Sequence, residues 1–316
     1  MITFIDLHTG GEFRGDFASV LCLGNFDGVH RGHSTLISRT LEMKAELSKE
    51  RSGIIGGAWC FRQPPADFLS PERRPACITS IDEKLELFAE KGLDVAMLGE
   101  FTELRNMRPA EFLNDILKEK CKCIAAVCGF NFSFGAYGSG TPEDLKSFFG
   151  DNCSVLDKVT LDGMTVSSTA IREYMSNGDA EKAEMMLGRP YSISFAVVEG
   201  KKLGRTLGLP TINQFFPEGR LRPLNGVYAS FTEINGKIYP SVSNVGLNPT
   251  VYDGGNVRCE THIIGYSGDL YGQRVKVSFC KYLRGEQKFA SIDELRESIE
   301  RDAATSESFI RSKYKI

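Results

Sequence analysis

Long hydrophobic runs are missing from this chain of 316 residues, and so is a strong excess of either charge. No apolar stretch approaches the roughly 20 residues that a membrane-spanning helix needs. The first residues have neither the basic start nor the cleavage site of a secretory signal peptide. The formal net charge of −3 argues against broad nucleic-acid binding, which usually needs a basic face. We therefore expect a cytoplasmic protein with neither a membrane nor a nucleic acid as partner. No pattern indicates its oligomeric state.

Cysteine occurs in an odd number, nine, scattered over the chain, so a disulfide framework is not expected. Only Cys121, Cys123 and Cys128 form a cluster. A thiolate metal site there would need a fourth ligand at a suitable spacing, and none follows. The segment instead has the pattern of a buried strand, and we expect reduced cysteines with a structural role.

Histidine is rarer still, and two of the four histidines, His30 and His33, stand three residues apart. They follow a short apolar run that ends in Gly24 and Gly28, which is the pattern of a strand that breaks before a helix. The N–H groups and the positive dipole end of a helix start bind anions, and imidazoles at i and i+3 share one face. The alternative is two surface histidines beside a glycine-rich turn. The joint occurrence of strand, glycines and paired histidines favours a phosphate site.

The chain changes in character near residue 185. Before it, apolar runs alternate with helical spacing, which predicts a parallel sheet with helices on both faces. The predicted strands cover residues 20–23, 53–60, 95–98, 124–128 and 154–159, and the predicted helices cover 34–49, 81–91, 109–117 and 142–148. Thr79 and Ser80, followed by two acids, predict the start of the second helix. Ligands of such sheets bind at the carboxyl ends of strands, where the histidine pair falls.

The second part of the chain has short β-like runs separated by Gly, Pro and Asn, which predict an antiparallel barrel or sandwich. The runs cover residues 192–199, 226–234, 239–245, 259–266 and 274–279. Asn235 and Gly236 predict a hairpin turn between two of these strands. A single helix over about 292–313 ends the chain. We predict two domains, residues 1–185 and residues 186–316.

A second anion-binding segment is predicted at residues 166–173. Ser167, Ser168 and Thr169 are capping residues that enter a helix, and Arg172 adds a fixed positive charge one turn later. Considered alone, the segment is also compatible with a plain helix cap.

Asn131 and Phe132 lie in another segment of interest, where alternating aromatics either fill the core or line a nucleotide or flavin pocket. The residues alone leave that choice open.

A candidate metal site lies in the second part of the chain. Thr211 and Asn213 follow Gly204, Gly208 and Pro210, and their side-chain oxygens point the same way from an extended strand. Mg²⁺ prefers few protein ligands with hard oxygens, and phosphate oxygens complete its shell. The pattern therefore suits Mg–ATP, and an ordinary Gly-Pro turn before an edge strand is the alternative.

The histidine segment resembles the G-x-F-D-x-x-H-x-G-H signature of the nucleotidyltransferase superfamily. The residues that carry the resemblance are Gly24, Phe26, Asp27, His30, Gly32 and His33. The segment at 166–173 looks like the second signature of the superfamily, which grips the triphosphate. The resemblance implies a Rossmann-like domain whose histidines stabilise charge on the α-phosphate and the departing pyrophosphate, with no covalent intermediate.

The second part of the chain resembles the riboflavin kinase domain. The resemblance is carried, in order and spacing, by residues 225–229, 243–250, 260–263, 269–272 and 283–289. It implies that Thr211 and Asn213 bind Mg–ATP and that Glu260 takes the proton from the ribityl 5′-hydroxyl. It also implies that Tyr228 belongs to the ATP-binding residues and Arg284 to the flavin- or nucleotide-binding residues. Attack of an alcohol on a γ-phosphate needs this combination of positioning, charge neutralisation and a nearby carboxylate.

Together the two parts resemble the prokaryotic bifunctional riboflavin kinase/FAD synthetase family over essentially the whole chain. The resemblance implies an α/β domain followed by an all-β, kinase-like barrel with a terminal helix. It implies that riboflavin becomes FMN with Mg–ATP and that FMN becomes FAD with a second ATP, with Asn131 and Phe132 in the flavin or nucleotide site. Three alternatives stay open: a riboflavin kinase with a weak or repurposed first domain, a nucleotidyltransferase for another phosphate substrate, and a flavin- or nucleotide-sensing regulator.

Overall fold

The computed structural model describes the backbone of residues 3–6 and, beyond it, residues 17–200, 208–247 and 257–316. Packing divides the chain into two units, Met1–Ser168 and Thr169–Ile316. This division falls earlier than the boundary expected from the change in sequence character. The predicted domain boundary between residues 185 and 186 stays a prediction.

The first unit is built on six strands. They are β1 (Thr3–Asp6), β2 (Ala18–Leu23), β3 (Ile54–Phe61), β4 (Val95–Gly99), β5 (Cys123–Gly129) and β6 (Cys153–Leu156). They form one parallel sheet in the order β1-β4-β3-β2-β5-β6. The central β2 is buried along its whole length, as expected of an apolar strand with helices on both faces. The sequence predicts every strand of this sheet except β1, whose four residues carry too short a pattern.

Helices connect these strands and cover both faces of the sheet, as predicted. They are α1 (Arg31–Leu47), α2 (Ala66–Leu69), α3 (Ile81–Glu90), α4 (Phe101–Leu104), α5 (Pro109–Glu111) and α6 (Pro142–Phe149). Ile37 of α1 and Phe88 of α3 pack on the face that contains Val20. Leu117 and Leu145 pack on the opposite face, because successive residues of a strand point to opposite sides.

Two local features show how the sequence sets these helices. Ser80 begins α3 as a capping box, because its Oγ accepts the Glu83 N–H at 3.2 Å and the Glu83 carboxylate accepts the Ser80 N–H at 2.9 Å. This confirms the predicted helix start. The predicted helix over 109–117 is also present, and it begins as α5 and continues as a π-helix over Phe112–Lys120. Helical spacing in a sequence does not distinguish an i+4 from an i+5 hydrogen-bond pattern over so few turns.

A short hairpin, β7 (Thr160–Leu161) and β8 (Met164–Thr165), precedes the second unit. In its described residues, that unit contains three helices and six strands. They are α7 (Ser168–Ser176), α8 (Ala180–Leu187), β9 (Tyr191–Ala196), β10 (Thr211–Phe215), β11 (Gly226–Ile234), β12 (Lys237–Leu247), β13 (Val257–Ile263), β14 (Arg274–Arg284) and α9 (Ile292–Tyr314). None of the helices in the described ranges is long and apolar enough to cross a membrane.

The strands of the second unit form an antiparallel sheet in the order β10-β13-β12-β11-β14-β9. Its two edges meet, because the Val198 N–H after β9 donates to the Asn213 carbonyl of β10 at 2.9 Å. The sheet therefore closes into the predicted barrel. Asn235 and Gly236 both have positive φ, 51° and 74°, between β11 and β12, which confirms the predicted hairpin turn.

Polar side chains fill part of the barrel interior, where their hydroxyls bond to one another. Ser243 bonds to Ser230 and to Thr261, each at 2.8 Å. Since side chains alternate along β13, an inward Thr261 puts Glu260 and His262 on the outer face. The sequence predicts this alternation, and the structure confirms it.

All nine cysteines are free thiols, and most of them are buried. Burial raises the pKa of five of these thiols to about 12, so they stay protonated near neutral pH: Cys22, Cys123, Cys128, Cys259 and Cys280. Within the described parts of the chain, no group of three or more His, Cys, Asp or Glu side chains is placed to hold a metal ion. The cluster around Cys121 is therefore part of the core of the first unit.

Gly57 is a point where the first sheet tolerates no side chain. A Cβ there would lie 2.5 Å from Val95 Cγ1 and 2.8 Å from the Val95 carbonyl oxygen on the paired strand. We expect Gly57→Ala to lower the free energy of unfolding of the first unit by about 1–3 kcal/mol, because the strands must separate. The only tryptophan, Trp59, lies in the same strand, so its fluorescence during urea titration reports this unit.

Gly56→Ala is the matched control. A Cβ at Gly56 meets the flexible side chains of Lys44 and Leu41 at 3.2 and 3.3 Å, which can move aside. We expect a smaller loss there. Equal losses at the two glycines would contradict the proposed clash with the Val95 backbone.

Candidate active sites

The first candidate site is a loop between the carboxyl end of β2 and the start of α1. Three residues of this loop have positive φ: Phe26 at 52°, Gly28 at 83° and Val29 at 40°. Glycine adopts this conformation readily, whereas Phe and the β-branched Val are strained in it by about 1–3 kcal/mol each. Such strain persists only where surrounding contacts impose it, and it is concentrated at functional sites.

Those contacts come from two other parts of the first unit. The Asp27 carboxylate accepts the N–H groups of Ile78 and Thr79 at 2.9 and 3.2 Å, just before α3. The Gly28 N–H donates in return to Thr79 Oγ1 at 3.0 Å. From a position 141 residues further on, Ser168 Oγ donates to the Asp27 carbonyl at 2.8 Å. Asp27 thus shapes the loop through its contacts with protein groups.

The histidine pair lies at the end of this loop. His30 is buried and caps α1, where its Nδ1 accepts the His33 N–H at 3.3 Å, so the ring proton is on Nε2. The two imidazoles stack with centroids 3.6 Å apart and an interplanar angle of 11°. Gly32 allows this arrangement, because a Cβ there would lie 3.1 Å from the His30 ring. The first turn of α1 contains no acidic residue, so the dipole and the imidazoles together attract an anion.

The second predicted anion segment begins at the same loop. Ser167 and Ser168 are partly buried at the end of the first unit, and Ser168 is the residue that holds Asp27. Thr169 is exposed, and Arg172 is partly buried one turn into α7. Ser168, the last residue of the first unit, is therefore a residue of this segment that contacts the loop. Gly24 lies at the other end of the loop, where a Cβ would press on the Phe26 ring at 3.3 Å.

Aromatic rings form a continuous row at the carboxyl end of the first sheet. Neighbouring centroids lie 4.9–5.8 Å apart along Phe132, Phe134, Phe112, Trp59, Phe61, Phe101 and Phe68. Phe134 is buried in the core, whereas Phe132 and the adjacent exposed Asn131 are open to solvent. Phe134 therefore belongs to the core, and a nucleotide or flavin pocket at Asn131 and Phe132 stays a prediction. The sequence did not single out the far rings, because they come from three separate segments.

The second candidate site lies on the outer face of the barrel. Asn213 of β10 is directly opposite Glu260 of β13, and Thr211 is opposite His262. Directly opposed residues have Cβ atoms about 4.5–5.5 Å apart on one face. On the other side of β13, Asn244 of β12 is also opposite Glu260. The register therefore brings the predicted metal ligands and the predicted base into one row.

Asn213 supplies the test of whether this row fits a metal ion. The residue is only 6% exposed, and its Oδ1 is buried without a hydrogen-bond donor among the described residues. A buried acceptor with no partner is costly, and a cation removes that cost. Together with the Thr211 hydroxyl it forms a small set of neutral, hard oxygens, which fits Mg²⁺ with phosphate oxygens in the remaining positions.

The proposed base and its neighbours have defined partners. Glu260 Oε1 lies 2.5 Å from Arg258 Nη2, two residues earlier on the same face, and the Arg258 side chain is 16% exposed. His262 Nδ1 is 2.9 Å from the Pro210 carbonyl oxygen, which ties β13 to the start of β10. Sequence reasoning missed Arg258, although the period of two along β13 could have identified it.

Two predicted binding residues have other partners in this structure. Tyr228 is fully buried, its hydroxyl donates to the Leu224 carbonyl at 2.6 Å, and burial raises the pKa of this hydroxyl. Tyr228 is therefore buried in the core of the second unit, and its role in ATP binding stays a prediction. Arg284 donates to the Asp302 carboxylate at 2.6 Å and to Ser298 at 3.0 Å, so it links β14 to α9.

The remaining predicted residues of this site are glycines and a loop. Gly208 has φ of 74°, and Gly204 and residues 248–250 lie outside the described residues.

Comparison with known proteins assigns a family model to each part of the chain. The FAD synthetase model matches residues 15–170, and the riboflavin kinase model matches residues 187–310. The bifunctional riboflavin kinase/FMN adenylyltransferase of Bacillus subtilis is 34% identical over 90% of both chains. The proteins of the same description from Pseudomonas fluorescens and Escherichia coli are 36% and 35% identical, over 93% and 92% of both chains.

A solved structure extends this similarity to the fold. The Streptococcus pneumoniae protein described as a macrolide-efflux protein has a TM-score of 0.85 and 27% identity to this chain. The match covers 97% of this chain and 99% of that one. The two proteins therefore share their fold over nearly their whole length.

The attachment of the strained loop can be tested at Asp27. We expect Asp27→Ala to lower the free energy of unfolding of the first unit by about 1–3 kcal/mol, because two buried N–H groups lose their acceptor. Peptides that contain Ile78 and Thr79 should also exchange their amide hydrogens faster, as measured by mass spectrometry. Asp82→Ala, an exposed acid on α3, is the control, with an expected loss below about 1 kcal/mol. Unchanged exchange at these two amides in Asp27→Ala would contradict the attachment.

Proposed function

The chain belongs to the family of bifunctional riboflavin kinases/FMN adenylyltransferases, and we propose that the two candidate sites carry the two reactions of this family. The enzyme phosphorylates riboflavin with ATP to FMN and adenylylates FMN with a second ATP to FAD. The observation that carries the assignment is that each unit has its own set of phosphate-binding groups. No residue is common to the two sets.

In the second unit, riboflavin would be phosphorylated on the outer face of the barrel. Thr211 and Asn213 would hold Mg²⁺, which when bound neutralises charge on the phosphates of ATP. Glu260, opposite Asn213, orients the ribityl 5′-hydroxyl and accepts its proton as that oxygen attacks the γ-phosphorus. Arg258 fixes the Glu260 carboxylate through their ion pair. These residues need little motion, because the strand ladder already aligns them.

In the first unit, the FMN phosphate would attack the α-phosphorus of ATP and release pyrophosphate. The start of α1 and the imidazoles of His30 and His33 would stabilise the charge that develops there. Ser167 and Ser168 would bind the departing phosphates, and Thr169 and Arg172, which follow them in the chain, stay predicted phosphate-binding residues. Asn131 and Phe132, at the open end of the aromatic row, would contact the flavin. Positioning and electrostatics suffice for this chemistry, and no side chain acts as a nucleophile.

The same proposal covers where the enzyme acts and on what. We expect its partners to be small molecules, namely riboflavin, FMN and ATP, with Mg²⁺ as the metal. We expect the reactions to take place in the cytoplasm without a nucleic acid or a membrane. A role as a sensor without catalysis is disfavoured, because the residues that would perform each step are all present.

Glu260→Gln tests the kinase assignment. We expect formation of FMN from riboflavin to fall by about 10²–10⁴-fold, because the amide cannot accept the hydroxyl proton. Conversion of supplied FMN to FAD should be unchanged. Both steps are measured by chromatographic separation of flavins, and Glu233→Gln, an exposed glutamate on β11, is the control. Equal loss of both steps in Glu260→Gln would contradict two separate sites.

Replacement of the histidine pair tests the adenylyl step. His30→Asn with His33→Ala keeps an N-cap acceptor and removes both imidazoles, so the helix start is retained. We expect FAD formation from FMN to fall by about a hundredfold or more, while FMN formation is unchanged. His30→Ala with His33→Ala also loses the cap, so this variant should be less stable. Its riboflavin phosphorylation should be unchanged as well. Normal FAD formation in the cap-preserving variant would overturn the proposed role of the imidazoles.

A further inference from the structure

A lysine is buried beside the strained loop of the first unit. Lys84, on α3, is only 6% exposed, and it is the one lysine buried among the described residues. Its Nζ donates to the carbonyl oxygen of Asn25 at 2.7 Å, and Asn25 directly precedes Phe26 in the loop. The start of α3 therefore holds the loop at two points, at Thr79 and at Lys84.

Among the described residues, this buried charge has no ion-pair partner. No carboxylate oxygen of those residues lies within 4 Å of Lys84 Nζ, whose hydrogen bond goes to the Asn25 carbonyl oxygen. The nearest acids in sequence are engaged or point away, since the Glu83 carboxylate accepts the Ser80 N–H and Asp82 is exposed. A buried cation without an anion is strongly unfavourable for stability.

The position of Lys84 on its helix adds to this cost. Lys84 is the fourth residue of α3, at the end of the first turn, where the helix dipole favours an anion over a cation. A neutral side chain would therefore suit the folded protein better at this position. A residue type that is unfavourable at its position in a helix, and that does not stabilise the fold, is expected at a functional site.

A polyphosphate bound at the neighbouring candidate site would supply the missing negative charge. The same loop leads into the cap of α1 and the stacked imidazoles, where the proposed adenylyl transfer needs a bound polyphosphate. We propose that Lys84 is a positioning residue of that step, whose positive charge is matched by the polyphosphate of ATP. Through the Asn25 carbonyl it also keeps the loop in its left-handed conformation. This inference rests on the proposed adenylyl transfer and adds to it a residue from outside both signatures.

Three variants separate the charge of Lys84 from its hydrogen bond and from its packing. Lys84→Arg keeps the charge and the donor. Lys84→Gln keeps a donor for the Asn25 carbonyl but removes the charge, and Lys84→Met keeps only the length of the side chain. Each variant is assayed as the full chain for FMN-to-FAD conversion over a range of ATP concentrations. Riboflavin phosphorylation by the same preparations is the internal control.

We expect Lys84→Gln and Lys84→Met to lose about a hundredfold in kcat/KM for ATP in FAD formation, with riboflavin phosphorylation unchanged. Lys84→Arg should have a higher kcat/KM for ATP in FAD formation than Lys84→Gln and Lys84→Met. The Tm of Lys84→Met should equal or exceed that of the unmodified chain, because an unmatched buried charge is gone. A merely structural lysine would produce the opposite change in Tm.

Two results would overturn the inference. One is wild-type kcat/KM for ATP in Lys84→Gln, which would reduce Lys84 to a hydrogen-bond donor for the loop. The other is a lowered Tm in Lys84→Met together with an equal loss of both activities. Failure of the proposed function itself is distinguishable from these, because the unmodified chain would then make no FAD from FMN.

Discussion

The hydrogen bonds between the Asp27 carboxylate and the backbone of Ile78 and Thr79 are the constraint on which the first site depends. Phe26 and Val29 are held in a backbone conformation that their side chains disfavour. Without these hydrogen bonds the loop would relax to a more favourable conformation. Relaxation would move the cap of α1, and with it the stacked imidazoles. Under the proposed function, the strain would fix donors toward an anion before that anion arrives.

The second site achieves the same fixed geometry by different means. Its residues are carried by strands, and the register between β10 and β13 alone determines that Asn213 is opposite Glu260. The inward side of β13 is fastened by the bond between Thr261 and Ser243. A slip of one residue would turn Glu260 into the barrel, so the buried hydroxyls hold the register on which the candidate site depends. Closure of the barrel through Val198 and Asn213 completes the support.

The sequence predicts much of this architecture because the relevant signals are local. Strand–helix alternation, the capping box at Ser80 and the Asn235-Gly236 turn each depend on a few neighbouring residues, and all three are confirmed. Whether a polar side chain faces solvent or a protein partner depends on residues far away in the chain. Tyr228 and Arg284 match the family pattern, yet Leu224 and Asp302 occupy their polar atoms. No motif indicates such pairings.

The two sites also show that one ligand can be neutralised in two ways. In the second unit the candidate ligands are neutral oxygens, so a metal ion held by Thr211 and Asn213 would supply positive charge for the ATP phosphates. In the first unit a helix start, two imidazoles and a buried lysine would supply positive charge from the protein itself. The γ-phosphoryl transfer puts its charge next to an attacking alcohol that must lose a proton, so a carboxylate is needed nearby. Attack by a phosphate on the α-phosphorus requires no such base, and a carboxylate beside that anion would repel it. The absence of acids from the first turn of α1 and the presence of Glu260 on β13 therefore follow from the same chemical difference.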